Sequence, residues 1–310
     1  MRREGESPSP YSLTRPRNNT NMDVSVIIVN YNTKELTKSC INSIFEETSG
    51  VAFEVILVDN ASTDGSAGIF EKDDRIKFVK SGENLGFGRA NNVGAKHSVG
   101  KYLFFLNSDT VLVENIVKVF YDYMEEHEEY AACGCNLVDS EGREVVCHGN
   151  LPSLFAEILC NPIGRVFSSY YKNTLSIGQT ISYGNITDTG YISGADIFIR
   201  AAIFEQFKGF DPNIFMYFEE TDLFARMKKK GLKFCVIPDH KIIHLVGGSF
   251  NRDKKKQLVR DKMFEESHIY YYRKNHCGTY TKCAKIAVIL SVLLSRRANK
   301  KEIIKIVIDA

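Results

Sequence analysis

Short apolar runs alternate with helical patterns through the first part of the chain, and this alternation restricts the possible folds more than any other feature. Residues 24–30 are a nearly continuous β-branched run, which is typical of a strand buried on both faces. Further strand and helix patterns follow: strands at 53–58, 75–80 and 101–106, and helices at 34–47, 86–99 and 114–126. Such alternation predicts a parallel, doubly wound α/β sheet.

Polar residues gather where three of these strands end, at 30–33, 59–64 and 107–109. Because ligands of open α/β sheets bind beyond the carboxyl ends of the strands, one crevice can collect all three clusters. Asn107 and Asp109 lie two residues apart, so their oxygen-bearing side chains fall on one side of an extended segment. Such oxygens, together with substrate phosphates, can hold Mg²⁺ or Mn²⁺. An Asp at a strand end is also common as a helix cap or turn residue.

The second half of the chain has a different pattern. Strand-like runs at 131–138 and 190–199 and helical patterns at 200–207 and 219–230 indicate a mixed α+β half. The 140–186 stretch has little periodicity, as is typical of functional lids and binding loops.

The two ends of the chain differ from its body. Residues 1–21 are rich in Ser, Pro, Arg and Asn and lack the apolar core of a signal peptide, which predicts a dispensable, disordered leader. A helical pattern at 254–276 and an apolar run at 283–294 predict a helical C-terminal extension. We therefore expect a main domain over 22–250 and an extension over 251–310.

Charge is balanced overall but not locally. The chain carries 40 Lys and Arg and 38 Asp and Glu, a net charge of +2, which argues against a nucleic-acid partner. Residues 251–310 contain 15 Lys and Arg against 6 Asp and Glu, or +9, which leaves 25 against 32, or −7, for residues 1–250. A basic extension fits an anionic surface or a phosphorylated ligand. A solvated helical face is the alternative.

The apolar run at 283–294 is too short to cross a bilayer, which needs about 20 residues. Its lysine- and arginine-rich flanks would let it lie in a membrane interface. The alternative is a helix packed on the main domain.

Eight cysteines are spread along the chain without zinc-ligand spacing. Cys133 and Cys135 alternate within an apolar run and are predicted to be small core residues on one strand face. A chain of this length can bury a sufficient core without disulfides. Reduced thiols and a cytoplasmic location are therefore expected.

Five ordered segments carry a more specific signal. They are 26–32 (Val-Ile-Ile-Val-Asn-Tyr-Asn), 58–66 (Val-Asp-Asn-Ala-Ser-Thr-Asp-Gly-Ser), 84–88 (Asn-Leu-Gly-Phe-Gly), 106–110 (Leu-Asn-Ser-Asp-Thr) and 217–223 (Tyr-Phe-Glu-Glu-Thr-Asp-Leu). In order and spacing they resemble family 2 glycosyltransferases, and are most similar to bacterial rhamnosyltransferase-like members that build surface polysaccharides.

The resemblance implies a GT-A fold, which is a Rossmann-like α/β fold with a mixed central sheet. It implies inverting, metal-assisted transfer of a sugar from a UDP- or dTDP-sugar to a glycan or polyprenyl-linked acceptor. With the basic extension, it also suggests peripheral contact with the inner face of the plasma membrane.

On the donor side, the resemblance implies that Asp59 hydrogen-bonds the uracil or thymine ring, with Tyr31 and Asn32 near the nucleoside. Asn84 belongs to the glycine-containing segment that we assign to the nucleotide-sugar site. Arg89 lies at the start of the predicted 86–99 helix, where helix-terminal N–H groups also favour phosphate. An ordinary surface arginine is the alternative.

The resemblance also implies that Asp109 binds Mg²⁺ or Mn²⁺ and that His244 completes the metal shell after donor binding. A divalent cation stabilises the charge that grows on a departing diphosphate. Family members commonly carry Asp-x-Asp where this chain has Asn107 and Asp109. We therefore expect a single carboxylate with water to hold the ion, and Asn107 to lie near the donor.

The acceptor hydroxyl needs a general base. The family usually has Glu-Asp at this place and the second acid is the base, which maps to Glu220; Glu219 is the alternative, because Glu in place of Asp lengthens the side chain. Asp222 is expected to orient the helix, and Asp196 to lie near the donor sugar or acceptor. An acidic helix start can also serve only to complement the helix dipole.

Three other functions are weighed against this one. A dinucleotide-dependent oxidoreductase would need G-x-G-x-x-G after the first strand, where residues 30–33 contain no glycine. A sugar nucleotidyltransferase would need a glycine-rich phosphate loop at the same place. A non-catalytic glycosyltransferase-like binding scaffold stays open because Asn107 and Glu220 depart from the family pattern.

Overall fold

The computed structural model describes residues 22–159, 187–245, 254–295 and 299–310. The predicted leader and the predicted boundary at 250 lie outside the described residues. Within those residues the strands are β1 Val24–Asn30, β2 Phe53–Asp59, β3 Ile76–Lys80, β4 Tyr102–Asn107, β5 Thr110–Leu112, β6 Tyr130–Val138, β7 Glu144–Val145, β8 His148–Gly149, β9 Thr187–Asp188, β10 Tyr191–Ile192, β11 Asp196–Arg200 and β12 Lys233–His244.

The helices of the described residues alternate with these strands and then follow them. They are α1 Lys34–Glu47, α2 Ser66–Phe70, α3 Phe87–Lys96, α4 Ile116–Glu126, α5 Leu154–Leu159, α6 Ala201–Gln206, α7 Glu219–Lys228, α8 Lys254–Asn275, α9 Gly278–Leu294 and α10 Lys300–Asp309.

Ten of the described strands form the main sheet in the order β3-β2-β1-β4-β11-β6-β12-β5, with β7 added to β6 and β9 to β12, and β8 pairs with β10 in a separate two-stranded sheet. Strands β3, β2, β1 and β4 are parallel. Strand β11 is antiparallel to both β4 and β6, so the sheet is mixed. The register places Asn30 beside Asp59 and Val29 beside Asn107, which brings the carboxyl ends of β1, β2 and β4 to one edge.

Helices cover both faces of the sheet because alternate residues of its central strands point in opposite directions. Ile28 of β1 packs in a core with α1 and α4, whereas Ile27 packs in a core with α3, α6 and α7. Cys133 and Cys135 are both buried in the first core, as predicted for one strand face. The structure therefore has the predicted helix–sheet–helix layering.

The C-terminal helices pack on the main domain. Tyr271 and Tyr272 of α8 form a cluster with Phe218 and Ala225 of the main domain. Helices α8, α9 and α10 share a second apolar cluster. In the described residues no helix is both long enough and apolar enough to cross a membrane. The predicted C-terminal helices are therefore present, and they pack on the main domain as the alternative expectation had it.

Candidate active site

Asn30 ties the ends of the first two strands together. Its side-chain Nδ2 donates to Asp59 Oδ1 at 2.8 Å and to Ser66 Oγ at 2.8 Å, and its Oδ1 accepts from the hydroxyls of Thr33 and Thr37. Asp59 is buried, and the backbone N–H of Ser62 donates to its other oxygen at 3.2 Å. The predicted nucleoside-binding carboxylate is thus fixed by a buried polar network.

Tyr31 and Asn32 form the turn after β1. Asn32 has a left-handed backbone with φ of 56°, and its Oδ1 accepts from the backbone N–H of Thr63 at 2.7 Å. This bond joins the loops that follow β1 and β2. Tyr31 is 47% exposed next to them, and an exposed aromatic ring can stack on a flat ligand ring.

Asn60 organises the next part of the edge. Its Nδ2 donates to Asn84 Oδ1 at 3.0 Å, and its Oδ1 accepts from the backbone N–H of Leu85 at 2.8 Å. Asn84 Oδ1 also accepts from the backbone N–H of Gly86. Arg89 donates from Nε to the carbonyl of Leu85 at 2.7 Å, which keeps the partly buried guanidinium at the start of α3. The motif spacing did not single out Asn30 or Asn60, although an amide at the end of a buried strand must find hydrogen-bond partners.

Two glycines bring the start of α3 against the segment that leads into α7. Gly86 has φ of 77°, and a Cβ on it would lie 2.0 Å from the carbonyl oxygen of Phe215. That oxygen accepts from the backbone N–H of Phe87 at 3.0 Å. A Cβ on Gly88 would lie 3.2 Å from Cβ of Glu219. The glycines therefore set the distance between the donor-side loops and the candidate base.

We expect Gly86→Ala to lower the free energy of unfolding by at least about 2 kcal/mol, because it adds a backbone clash to left-handed strain of about 1–2 kcal/mol. Urea unfolding would measure the loss. Gly82→Ala is the matched control, since Gly82 has φ of 81° with nothing within 4 Å of its added Cβ. Equal losses of unfolding free energy in the two variants would contradict the close approach of Gly86 to the Phe215 carbonyl.

Asp109, Asn107 and His244 meet at the end of β4. His244 Nε2 lies 3.2 Å from Asp109 Oδ1 and 3.4 Å from Asn107 Nδ2. The pairing of β12 with β5 positions the histidine beside Thr110, and the backbone N–H of Leu245 donates to the carbonyl of Asp109. Two residues that are distant in sequence are thus brought together.

This cluster is the candidate site for a divalent cation. It offers one carboxylate and one imidazole, while the Asn107 amide presents its Nδ2 to the histidine. The described part of the chain has no group of three or more His, Cys, Asp and Glu side chains placed to hold a metal. Other ligands would therefore have to come from a bound diphosphate or water, as is usual for Mg²⁺.

The α7 helix begins with the two candidate bases. Tyr217 and Phe218 both have left-handed backbones, with φ of 68° and 66°, and Glu219 follows them directly. Non-glycine residues held in this region cost free energy and cluster at functional sites. Glu219 is buried, and its Oε2 has no hydrogen-bond partner among the described residues. Burial raises the pKa of Glu219 and Glu220, and the charge of Glu220 raises that of Glu219 further.

Glu220 borders a cavity of about 390 Å³ between the main domain and the C-terminal helices. Its lining includes Tyr191, Tyr217, Phe264 and His268. His268 Nε2 lies 2.9 Å from Glu157 Oε1. Burial acts to lower the pKa of His268, but hydrogen bonds with Glu157 and Glu265 raise it to about 9. Sequence patterns did not reveal this cavity, because its walls come from distant segments.

Asp222 lies between two helices. It is fully buried, accepts from Arg226 Nε at 2.8 Å, and accepts from Lys274 Nζ at 2.8 Å and from Asn275 Nδ2 at 3.2 Å. It therefore joins α7 to α8, in agreement with its expected orienting role.

Asp196 is placed inside the sheet. Its Oδ2 accepts from the backbone N–H of Cys135 at 2.8 Å, and complete burial raises the pKa of its carboxyl well above the usual range. Its neighbour Ala195 accepts from the backbone N–H of Asn107. The structure thus puts the Asp196 backbone beside the candidate metal cluster and its carboxyl in the interior.

Residues 25–173 match the family model described as glycosyl transferase family 2. This part of the chain is a family 2 glycosyltransferase domain. Among curated relatives, the chain is similar to an N-acetylglucosaminyl-diphospho-decaprenol L-rhamnosyltransferase of Mycobacterium tuberculosis, with 25% identity over 217 residues. That match covers 66% of this chain and 70% of the relative.

Solved structures confirm the fold of this glycosyltransferase. The mannosyltransferase PcManGT of Pyrobaculum calidifontis, in complex with GDP-Man and Mn²⁺, matches with a TM-score of 0.55 and 14% identity over 96% of this chain and 76% of that one. S. aureus TarS 1–349, in complex with UDP, matches with a TM-score of 0.52 and 16% identity over 90% and 74%. These GT-A neighbours confirm the predicted fold class.

Proposed function

We propose that this glycosyltransferase moves a sugar, rhamnose being the favoured candidate, from a UDP- or dTDP-sugar to a hydroxyl of a polyprenyl-linked or free glycan, with inversion. The observation that carries the proposal is the contact of Gly88 with Glu219, which holds the acidic start of α7 against the donor-side edge. A nucleotide sugar on that edge would present its anomeric carbon to the carboxyl pair.

The donor would bind across the ends of β1, β2 and β4. Asp59 would accept a hydrogen bond from the base, while Tyr31 and Asn32 would contact the nucleoside. Asn84 and Arg89 lie at the start of α3, whose N–H groups favour phosphate. Support comes from the Asn30 and Asn60 networks, which hold Asp59 and Asn84 in place before any ligand arrives.

Asp109 and His244 would hold a Mg²⁺ or Mn²⁺ ion, with Asn107 beside them. When bound, that ion would neutralise negative charge on the leaving diphosphate. The proposal is supported by the pairing of β5 with β12, which sets His244 opposite Thr110, the residue after Asp109.

Glu220 is the proposed base. Its carboxylate would take the proton of the acceptor hydroxyl as that oxygen bonds to the anomeric carbon and the bond from this carbon to the diphosphate oxygen breaks. The cavity beside Glu220 offers room for an acceptor. Glu219 faces α3, and its Oε2 has no hydrogen-bond partner among the described residues, which suits a hydrogen bond from a donor-sugar hydroxyl. Glu219 stays the second candidate for the base.

The acceptor class rests on the relatives. The mycobacterial relative is named for a decaprenol-linked substrate, and a lipid-linked acceptor in surface polysaccharide synthesis would place this chain at the cytoplasmic face of a membrane. Rhamnose is proposed as the transferred sugar because that relative is named as an L-rhamnosyltransferase.

Calorimetry with UDP, dTDP and GDP, each with Mn²⁺ and after chelation, tests the donor site in the chain that starts at Met22. We expect UDP or dTDP to bind more tightly with Mn²⁺, because an ion held by Asp109 would offset the negative charge of the diphosphate. UMP is the control, since it lacks the second phosphate and should show little metal enhancement. Absence of binding by UDP and dTDP would contradict the proposed donor.

A further inference from the structure

Helix α9 has one buried face and one exposed apolar face. Its buried residues include Ala284, Ala287, Val288 and Val292, which pack against α8 and α10 or the main domain. On the opposite side, four large apolar side chains are 48–58% exposed: Ile286, Leu290, Leu293 and Leu294. We call these four residues the outer stripe.

The spacing of the outer stripe is i, i+4, i+7 and i+8, which places its members along one side of a helix. Residues 278–294 contain no Asp or Glu, so no acidic side chain of α9 interrupts this face. A contiguous exposed apolar surface commonly marks a site of interaction with a protein or a membrane.

Lysines lie near both ends of the outer stripe. Lys282 is exposed one helical turn before Ile286. At the other end, Lys300 Nζ donates to the carbonyl of Leu293 at 2.8 Å, and Lys301 is exposed next to it. An apolar face with flanking ammonium groups is complementary to a bilayer surface with anionic headgroups.

The same helix forms a wall of the cavity at Glu220. Val288, Ser291, Val292 and Ser295 line that cavity from the inner side of α9. The outer stripe and the proposed base therefore lie on opposite sides of one helix.

We infer that α9 rests in the interface of an anionic membrane through its outer stripe and so positions the Glu220 cavity beside that surface. The acceptor part of this inference rests on the proposed function, because only a lipid-linked acceptor needs the cavity there. A contact between two copies of α9 is disfavoured, because Lys282 and Lys285 of this helix would find no Asp or Glu on its counterpart. The packed inner face would keep α9 parallel to the membrane.

The test compares two double variants of the full chain. Ile286→Glu/Leu290→Glu places two charges in the outer stripe, and Val146→Glu/Val259→Glu places two at apolar sites of similar exposure elsewhere, 49% and 55%. Co-sedimentation uses vesicles with equal parts of phosphatidylglycerol and phosphatidylethanolamine, and vesicles of phosphatidylcholine alone. We expect the stripe variant to lose at least about tenfold in affinity for the anionic vesicles, and the control variant to bind as the wild type does.

Enzyme assays separate this inference from the proposed function. Donor hydrolysis and transfer to a short-chain acceptor in solution should be unchanged in the stripe variant, while transfer to a polyprenyl-linked acceptor in vesicles should fall about tenfold. If the stripe variant lost vesicle binding while the wild type transferred sugar to neither acceptor, the docking surface would be supported and the proposed function contradicted. Equal vesicle binding by the stripe variant and the wild type, or loss of a dimer instead of vesicle binding, would overturn the inference.

Discussion

Glu220→Gln should lower the rate of sugar transfer about 10²- to 10⁴-fold, which is the usual contribution of a general base. The amide keeps the size of the carboxylate but cannot take the acceptor proton. Donor binding should not change, because Glu220 borders the cavity and not the strand ends that hold Asp59 and Asp109. Steady-state transfer and nucleotide calorimetry on the same preparation would measure both quantities.

Glu219→Gln is the matched control, because it makes the same change one residue away. Glu219 faces α3, so its loss should weaken donor-sugar binding more than the proton transfer. If Glu219→Gln instead gave the larger fall in rate and Glu220→Gln transferred sugar normally, the two roles would be reversed.

The pH dependence of transfer supplies a second test of the same base. Burial raises the pKa of Glu220, and the base acts only when ionised. Transfer should therefore be slow at low pH and should rise through a limb that lies above the ordinary Glu pKa of about 4.3. The Glu220→Gln variant should lack this limb in its residual activity.

Asp109→Asn should remove most of the gain in nucleotide affinity that Mn²⁺ provides, a loss of about a hundredfold or about 3 kcal/mol. The effect is large because Asp109 is the only carboxylate in the cluster with His244 and Asn107. After chelation, the variant and the wild type should bind UDP or dTDP alike. Calorimetry in both conditions gives the comparison.

Asp74→Asn is a suitable control for charge, since Asp74 is an exposed carboxylate outside the site. It should keep the full metal effect. Undiminished enhancement by Mn²⁺ in Asp109→Asn would mean that the ion binds elsewhere or that the site works without it.

The first half of the fold could be predicted closely because each buried strand and its helix leave a local pattern. Predicted β1 and α1 coincide with Val24–Asn30 and Lys34–Glu47. The predicted strand at 190–199 is instead two strands, β10 and β11, which pair in different sheets. Insertion of β11 between β4 and β6 depends on contacts between distant segments, and periodicity does not report those.

The candidate site, like the fold, could be predicted only in part. Motifs led to Asp109 and His244, which the structure places 3.2 Å apart, and to the acidic start of α7. They did not lead to the amides of Asn30 and Asn60, whose importance comes from burial. Asp196 was expected near a substrate, yet its carboxyl is enclosed in the sheet, because a residue's side of a strand depends on where that strand is paired.

The Asp222 contacts join α7 to the C-terminal helices through ion pairs and hydrogen bonds. Lys274 bridges Asp222 and Asp211, while Tyr271 packs beside Phe218 at the turn before Glu219. A chimera that took its C-terminal helices from a relative would leave Asp222 buried without these partners, which is costly for a carboxylate. A chimera that exchanges acceptor-side segments between relatives would therefore have to exchange α7 together with α8. The exchanged segment would begin before α7, well ahead of residue 251.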